Sequence, residues 1–220
     1  MNDSSRSAPS SSSQWRALSA DVYSRTAASF DRAAAELASG DADAAIALLT
    51  ECCEVDPANL HYRQTLRQTQ KARYRDNLVG SRLAWLRTIL LRRRLRSAVR
   101  RRDHRRVLTL GETILAWNPW HLRTQQIMGE SAEALGLMDV AVFILDQARH
   151  KYPRHAGLNR SLARLFERVG KTALAANLWM VICEQSPEDV EAAHRSAEWN
   201  SRANERSLRQ SFTGDRVSGV

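Results

Sequence analysis

The sequence predicts an all-α fold built as an array of helical hairpins, and three observations carry that prediction. Pro119, Pro153 and Pro187 stand 34 residues apart, each closing a helical run. Gly136 and Gly170 lie 17 residues before their prolines, and Gly40 lies 17 before Pro57. Between the chain's ends, apolar residues recur at spacings of three and four with no alternating stretch, which is the period of a helix and not of a strand. The glycine ends one helix, a second helix of about a dozen residues follows, and the proline stops it. A hairpin made this way leaves an apolar face that only a neighbouring hairpin can bury, so the units stack into a solenoid.

The elements follow in order. Residues 1–20 are Ser-rich and read as a disordered tail. Residues 21–79 hold one degenerate hairpin, marked by Gly40 and Pro57, and an extra helix from about Asn59 to Leu78. The interval from Pro57 to Pro119 is 62 residues where two periods would make 68, so it predicts three helices instead of four, with a break at Gly80 and Ser81. Residues 82–187 hold three hairpins. Residues 188–210, rich in Glu, Arg, Ser and Asn, predict a helix that caps the stack with a polar face, and 211–220 a second disordered tail.

Two periods carry a known pattern of side chains. Met128, Gly129 and Ala132 are followed by Ala141, Leu145, Ala148 and Pro153; Leu162, Ala163 and Phe166 are followed by Ala175, Trp179, Ile182 and Pro187. In these residues the chain resembles the tetratricopeptide repeat family, where small side chains stand at close helix crossings. The segment with Ala45, Leu49, Cys52 and Pro57 keeps the second-helix half, while Arg32 and Glu36 depart from the first. The segment ending at Pro119 departs at Arg102, which replaces the glycine, and at Val107 and Gly111. The resemblance spans about Ala20 to Arg209, and the stretches NPWH, LGLMDVAVFILDQARHKYP and LNRSLARLFERVG are also similar to uncharacterised bacterial repeat proteins.

Composition limits the function classes. No stretch reaches the roughly 18 uncharged apolar residues of a membrane span, and the first residues lack the apolar core of a secretory signal, so a cytoplasmic location is expected. Cys52, Cys53 and Cys183 are odd in number and lack the Cys-x-x-Cys spacing, and are expected to serve packing. The sequence contains no GxxxxGK[ST], GxSxG or HExxH motif, and His150 and His155 straddle Pro153 and so do not share a helix face. No catalytic residue, metal ligand or cofactor is therefore expected.

The charge is concentrated. Thirty of the 33 basic residues are Arg, a bias that either codon usage or bidentate anion recognition produces. Residues 63–106 carry 16 Lys and Arg against Asp76 and Asp103, while the rest of the chain is net acidic. Leu83, Leu86, Leu90, Leu91, Leu95 and Val99 recur at helical spacing in this segment beside Arg82, Arg87, Arg92, Arg93, Arg96 and Arg100. The apolar stripe is expected to stack on the following hairpin; lying on an anionic membrane is the sharper alternative. Tyr74 and Trp85 are the rings available for nucleic-acid stacking, with no recognised binding motif around them. Trp117, Trp120, Trp179 and Trp199 read as packing residues.

The resemblance implies that the first helix of each hairpin lines a concave groove that holds an extended peptide or a partner helix. By position this groove would carry Arg92, Arg96 and Arg100, then Arg123, Gln126, Glu130 and Glu133, then Arg160, Arg164, Glu167 and Arg168. Paired Arg donors at neighbouring turns suit carboxylates, so an interaction scaffold for an acidic or C-terminal segment of another protein is expected. The alternative is binding to nucleic acid or an anionic membrane surface through residues 63–106.

Overall fold

The computed structural model describes residues 19–198 and residue 201. Of the expected tail over residues 1–20, residues 1–18 lie outside the described residues, while Ser19 caps a helix that starts at Ala20. The tail over 211–220, residues 199, 200 and 202–210 of the expected cap, and with them Trp199, lie outside the described residues as well. Among the described residues there are helices and turns but no strand.

The hairpin turns show why glycine recurs. Gly40, Gly136 and Gly170 adopt φ of 89°, 75° and 76°, a left-handed region that costs glycine nothing. The residue after each donates its N–H back to a carbonyl of the preceding helix: Asp41 to Glu36 at 2.9 Å, Leu137 to Ala132 at 2.8 Å, Lys171 to Phe166 at 2.8 Å. Arg102 takes the same role at φ 55°, with Asp103 donating to Ala98 at 3.0 Å. The turn is thus intact where the glycine is missing, at the expense of an L-residue held left-handed.

The proline turns have a shared chemistry as well. Two residues after each proline stands a side chain that accepts from the first turn of the next helix: Asn59 from Tyr62, His121 from Thr124, His155 from Leu158 and Asp189 from Ala192. Six residues after the proline, a buried side chain donates to the proline carbonyl: Arg63 to Pro57 at 3.3 Å, Gln125 to Pro119 at 3.0 Å, Asn159 to Pro153 at 2.8 Å. These bonds satisfy a carbonyl that the helix has no partner for.

These turns join α1 (Ala20–Ser39) to α2 (Ala42–Val55), α5 (Ile89–Arg100) to α6 (His104–Leu115), α7 (Leu122–Ala134) to α8 (Met138–Lys151), and α9 (Ala156–Arg168) to α10 (Thr172–Gln185). Between the first two pairs lie α3 (Leu60–Arg73) and the single turn α4 (Ala84–Arg87). Residues 190–198 are helical too. The chain divides within α8 into two compact units, one reaching to Ile144 and one from Leu145. The first unit buries Ile46, Leu49, Cys52, Tyr62 and Leu66 in one core, and Leu95, Val107, Ile114 and Ile127 in another. The second unit packs α9 on α10 around Leu162, Phe166, Trp179 and Ile182, and Trp179 Nε1 donates to Glu167 at 2.8 Å.

Three expectations are corrected. The extra helix ends at Arg73, not Leu78, because Arg75, Asp76 and Leu78 turn to φ of 51°, 51° and 60°. The chain is then pinned at Gly80, where the backbone packs on Trp117 and Asn118, and Ser81 N–H donates to Trp117 at 2.9 Å. The basic amphipathic stretch breaks at Thr88, whose hydroxyl donates to Ala84 at 2.6 Å. Of its apolar stripe only Leu95 is buried and Leu91 half-buried; Leu83, Leu86, Leu90 and Val99 face solvent and do not stack on the following hairpin.

The third correction concerns charge. Arg63 and Arg67 are not part of a surface excess: both lie inside, 1% and 2% exposed, on either side of Glu112, itself 2% exposed. Arg63 Nη1 meets Glu112 Oε1 at 2.5 Å, and Arg67 Nη2 meets Oε2 at 2.9 Å. Arg67 Nη1 also donates to Gln70 at 2.6 Å. The cluster binds α3 to α6 by charge, where its neighbours are held by apolar contact.

Candidate functional site

α5 and α7 are the first helices of neighbouring hairpins. Both run on well-formed turns, α5 packing on α6 through Leu95 and Ala98, and α7 on α6 through a glycine. A Cβ on Gly111 would lie 2.3 Å from Met128 Sδ, so the Met128 side chain of α7 occupies the space above this glycine.

Between α5 and α7 lies a cavity of about 580 Å³, floored by Leu95, Val99, Thr124 and Ile127 and walled by Arg92, Arg96, Arg100, Arg123 and Glu130. His121 stands at its end, accepting from Thr124 N–H while its Nδ1 lies 2.9 Å from Thr124 Oγ1. The four arginines make no ion pair with a carboxylate among the described residues. Arg92 Nε is buried without a hydrogen-bond partner, and Arg96 Nε donates only weakly, to the Arg92 carbonyl at 3.4 Å. An unpaired buried guanidinium nitrogen is costly.

Of the residues expected on a groove, the structure brings Arg92, Arg96, Arg100, Arg123 and Glu130 around this one space. Gln126 is half-buried on α7 and does not line it. The second-unit residues are otherwise engaged. Arg160 pairs with Asp189 and, at 3.1 Å, with Glu191; Arg164 Nη2 meets Glu191 at 2.7 Å; Arg195 reaches Glu167 at 3.9 Å. Arg168 is exposed, and Glu133, like Arg168, has an interaction of its own.

Leu95 and Val99 belong to the apolar stripe read from the sequence and Ile127 lies outside it, because a sequence period does not say which apolar residues line a groove. The buried cluster left a fainter sign: Arg63 and Arg67 are four apart among Tyr62 and Leu66, and Glu112 is the lone acid in VLTLGETILAW. Tyr74 is not a free stacking ring, since its hydroxyl donates to Ala116 at 3.0 Å and Arg73 lies over the ring at 5.4 Å. Trp120 and Trp179 are buried, whereas Trp117 is half-buried under Arg87 at 4.6 Å.

All three cysteines are free thiols. Burial pushes the Cys53 thiol up to about 12, an effect that nearby Arg63 only partly offsets, and burial also raises Cys52. Burial lowers the Arg67 guanidinium against the pull of Glu112. No group of three or more His, Cys, Asp or Glu among the described residues is placed to hold a metal ion. No helix among them is long and apolar enough to cross a membrane.

Repeating αα-hairpins with shared turn chemistry and a cavity between consecutive first helices define a repeat protein of the helical-solenoid class. More specifically, the fold is that of the tetratricopeptide repeat. The structure aligns with the TPR domain of P58(IPK) at a TM-score of 0.52 and 15% identity, covering 88% of this chain and 61% of that domain. It also aligns with the first TPR of Spaghetti (RPAP3) bound to the HSP90 peptide SRMEEVD, at 0.48 and 12% over 58% of this chain and 98% of that one. MamA from Desulfovibrio magneticus RS-1 gives 0.41 and 14%, over 89% and 97%. No family model and no curated protein matches the sequence.

Proposed function

We propose that the chain is a non-catalytic protein-interaction scaffold that holds an acidic, extended segment of a partner protein between α5 and α7. One observation carries the reading: Arg92, Arg96, Arg100 and Arg123 line one 580 Å³ cavity with Leu95, Val99 and Ile127, and none of the four pairs with Glu130, the cavity's single carboxylate, or with any other carboxylate among the described residues. Each guanidinium presents a planar fork suited to bidentate carboxylate contact, and Leu95, Val99 and Ile127 offer contact for an aliphatic side chain between the acids. Glu130 at one edge repels acid there and so favours one direction of the bound segment. Arg160 and Arg164 are matched by Asp189 and Glu191 of their own unit, so the proposal rests on the α5 and α7 arginines.

Fluorescence anisotropy with a labelled peptide of alternating Glu and Leu ending in a free carboxylate tests it. Binding should weaken as salt rises, and Arg96→Glu or Arg123→Glu should reduce it by at least about tenfold, since each reverses a close charge. Arg154→Glu, on the exposed turn after Pro153, should leave it unchanged. Absence of binding at low salt, or binding indifferent to both groove substitutions, would overturn the reading.

A further inference from the structure

Seven of the exposed large apolar side chains among the described residues fall in one short segment. Leu78, Val79, Leu83, Trp85, Leu86, Ile89 and Leu90 are between 44% and 64% exposed. Their exposure is not the looseness of a loop. The backbone before them is forced left-handed at Arg75, Asp76 and Leu78, Asn77 Oδ1 accepts from Val79 and Gly80 at 2.9 and 2.8 Å, and Gly80 is wedged against the Trp117–Asn118 backbone. Beyond the wedge, Ala84 and Thr88 are buried and anchor α4, while Trp85, Leu86, Ile89 and Leu90 stand outside. The fold holds these side chains in water, against the hydrophobic effect, on a constrained frame.

The charge around them has one sign. No Asp or Glu occurs between Asp76 and Asp103, and Arg82, Arg87, Arg93 and Arg94 are exposed within or beside the patch. Apart from arginine, the polar side chains from 78 to 94 are Ser81 and the buried Thr88. To a protein partner this surface offers arginine donors and the Ser81 hydroxyl but no carboxylate, so every charged contact would have to come from acids on the other side. A second copy would set like charges against each other. A bilayer surface demands no directional partner: it accepts Trp and aliphatic side chains at the boundary of its hydrocarbon and attracts Arg to its anionic headgroups.

We propose that residues 78–94 form a peripheral docking element for anionic phospholipid membranes, with Trp85, Leu86 and Leu90 entering the interface and Arg82, Arg87, Arg93 and Arg94 meeting the headgroups. Neither Trp85 nor its apolar neighbours line the α5–α7 cavity, so lipid docking and peptide binding are separable properties of one unit.

Sedimentation of the full chain with phosphatidylserine–phosphatidylcholine vesicles, compared with pure phosphatidylcholine vesicles, tests the proposal. Binding should be at least about tenfold stronger to the anionic vesicles and should fall with salt. A Trp85→Ser, Leu86→Ser, Leu90→Ser triple variant should lose it by a similar factor, while Leu174→Ser, an equally exposed leucine on α10, should retain it. Thermal melting verifies that the triple variant folds; if it does not, Leu83→Ser alone provides the comparison. Equal binding to neutral and anionic vesicles, or full binding by the patch variants, overturns the proposal. So does the absence of vesicle binding with a lipid-free dimer that the patch variants dissociate, which would assign the surface to a second copy.

Discussion

Glu112→Gln removes one negative charge from between two buried guanidiniums while keeping the side chain's size. At this range each attraction is worth about 4 kcal/mol at an effective dielectric of about 20. Relaxation and water entry recover part of this, and breaking a buried ion pair by removing one partner costs about 3–5 kcal/mol. All three side chains are at most 2% exposed, so solvent screening does not discount the figure. Against a total stability of about 5–15 kcal/mol, this should lower the urea midpoint of the first unit markedly. Circular dichroism through a urea titration measures it. The control is Arg63→Met, Arg67→Met, Glu112→Leu, which removes every charge together and should return to within about 2 kcal/mol of the parent, less the bond from Arg63 to Pro57. A Glu112→Gln cost below about 1 kcal/mol would falsify the claim that the cluster is a buried, mutually dependent charge group.

Arg102→Gly should stabilise the chain by about 1 kcal/mol in the same titration, because it relieves an L-residue at φ 55° without disturbing the Asp103–Ala98 bond. Gly80→Ala should destabilise by about 2–4 kcal/mol, since its Cβ would sit 2.7 Å from Asn118 Cα and the Trp117 carbonyl at φ 81°; a loss under about 0.5 kcal/mol would contradict the wedge. Cys53 keeps its proton in the folded chain up to about 12, whereas the unfolded thiol loses it from its ordinary 9.0. The folded state thus binds more protons between those values, and stability should fall as pH rises through them, by up to about 1.4 kcal/mol per pH unit. Tyr62 and Tyr74, also raised by burial, act in the same direction, so the diagnostic is a shallower alkaline slope in Cys53→Ala. In native protein at mildly alkaline pH, a thiol reagent should modify half-buried Cys183 well before Cys52 or Cys53.

The hairpins were legible because their signals are local. Gly40, Gly136 and Gly170 mark backbone turns that each side chain's own neighbours decide, and Pro119 and Pro153 mark helix stops in the same way. The join between α2 and α5 was less legible because its determinants are distant in sequence. Leu78 continues a helical period, and only the packing of Gly80 on Trp117, 37 residues on, turns the chain away earlier. Arg63 and Arg67 look like surface charge until Glu112 is brought beside them, an encounter no spacing announces. The groove divides along the same line. Arg92, Arg96 and Arg100 follow from helical register, whereas the neutralisation of Arg160 by Asp189 depends on how the chain folds back after Pro187.

Arg63 belongs to two systems at once. It fills the position from which Gln125 and Asn159 close ordinary proline turns, and it is also one arm of the cluster around Glu112. An ordinary turn could accept an inserted or deleted hairpin, because its donor answers only to a proline six residues away. The α3–α6 joint could not, since an insertion would part a carboxylate from two cations that have no water to turn to. The buried charges therefore fix α3 against α6, whereas a proline turn fixes only the start of the helix that follows it.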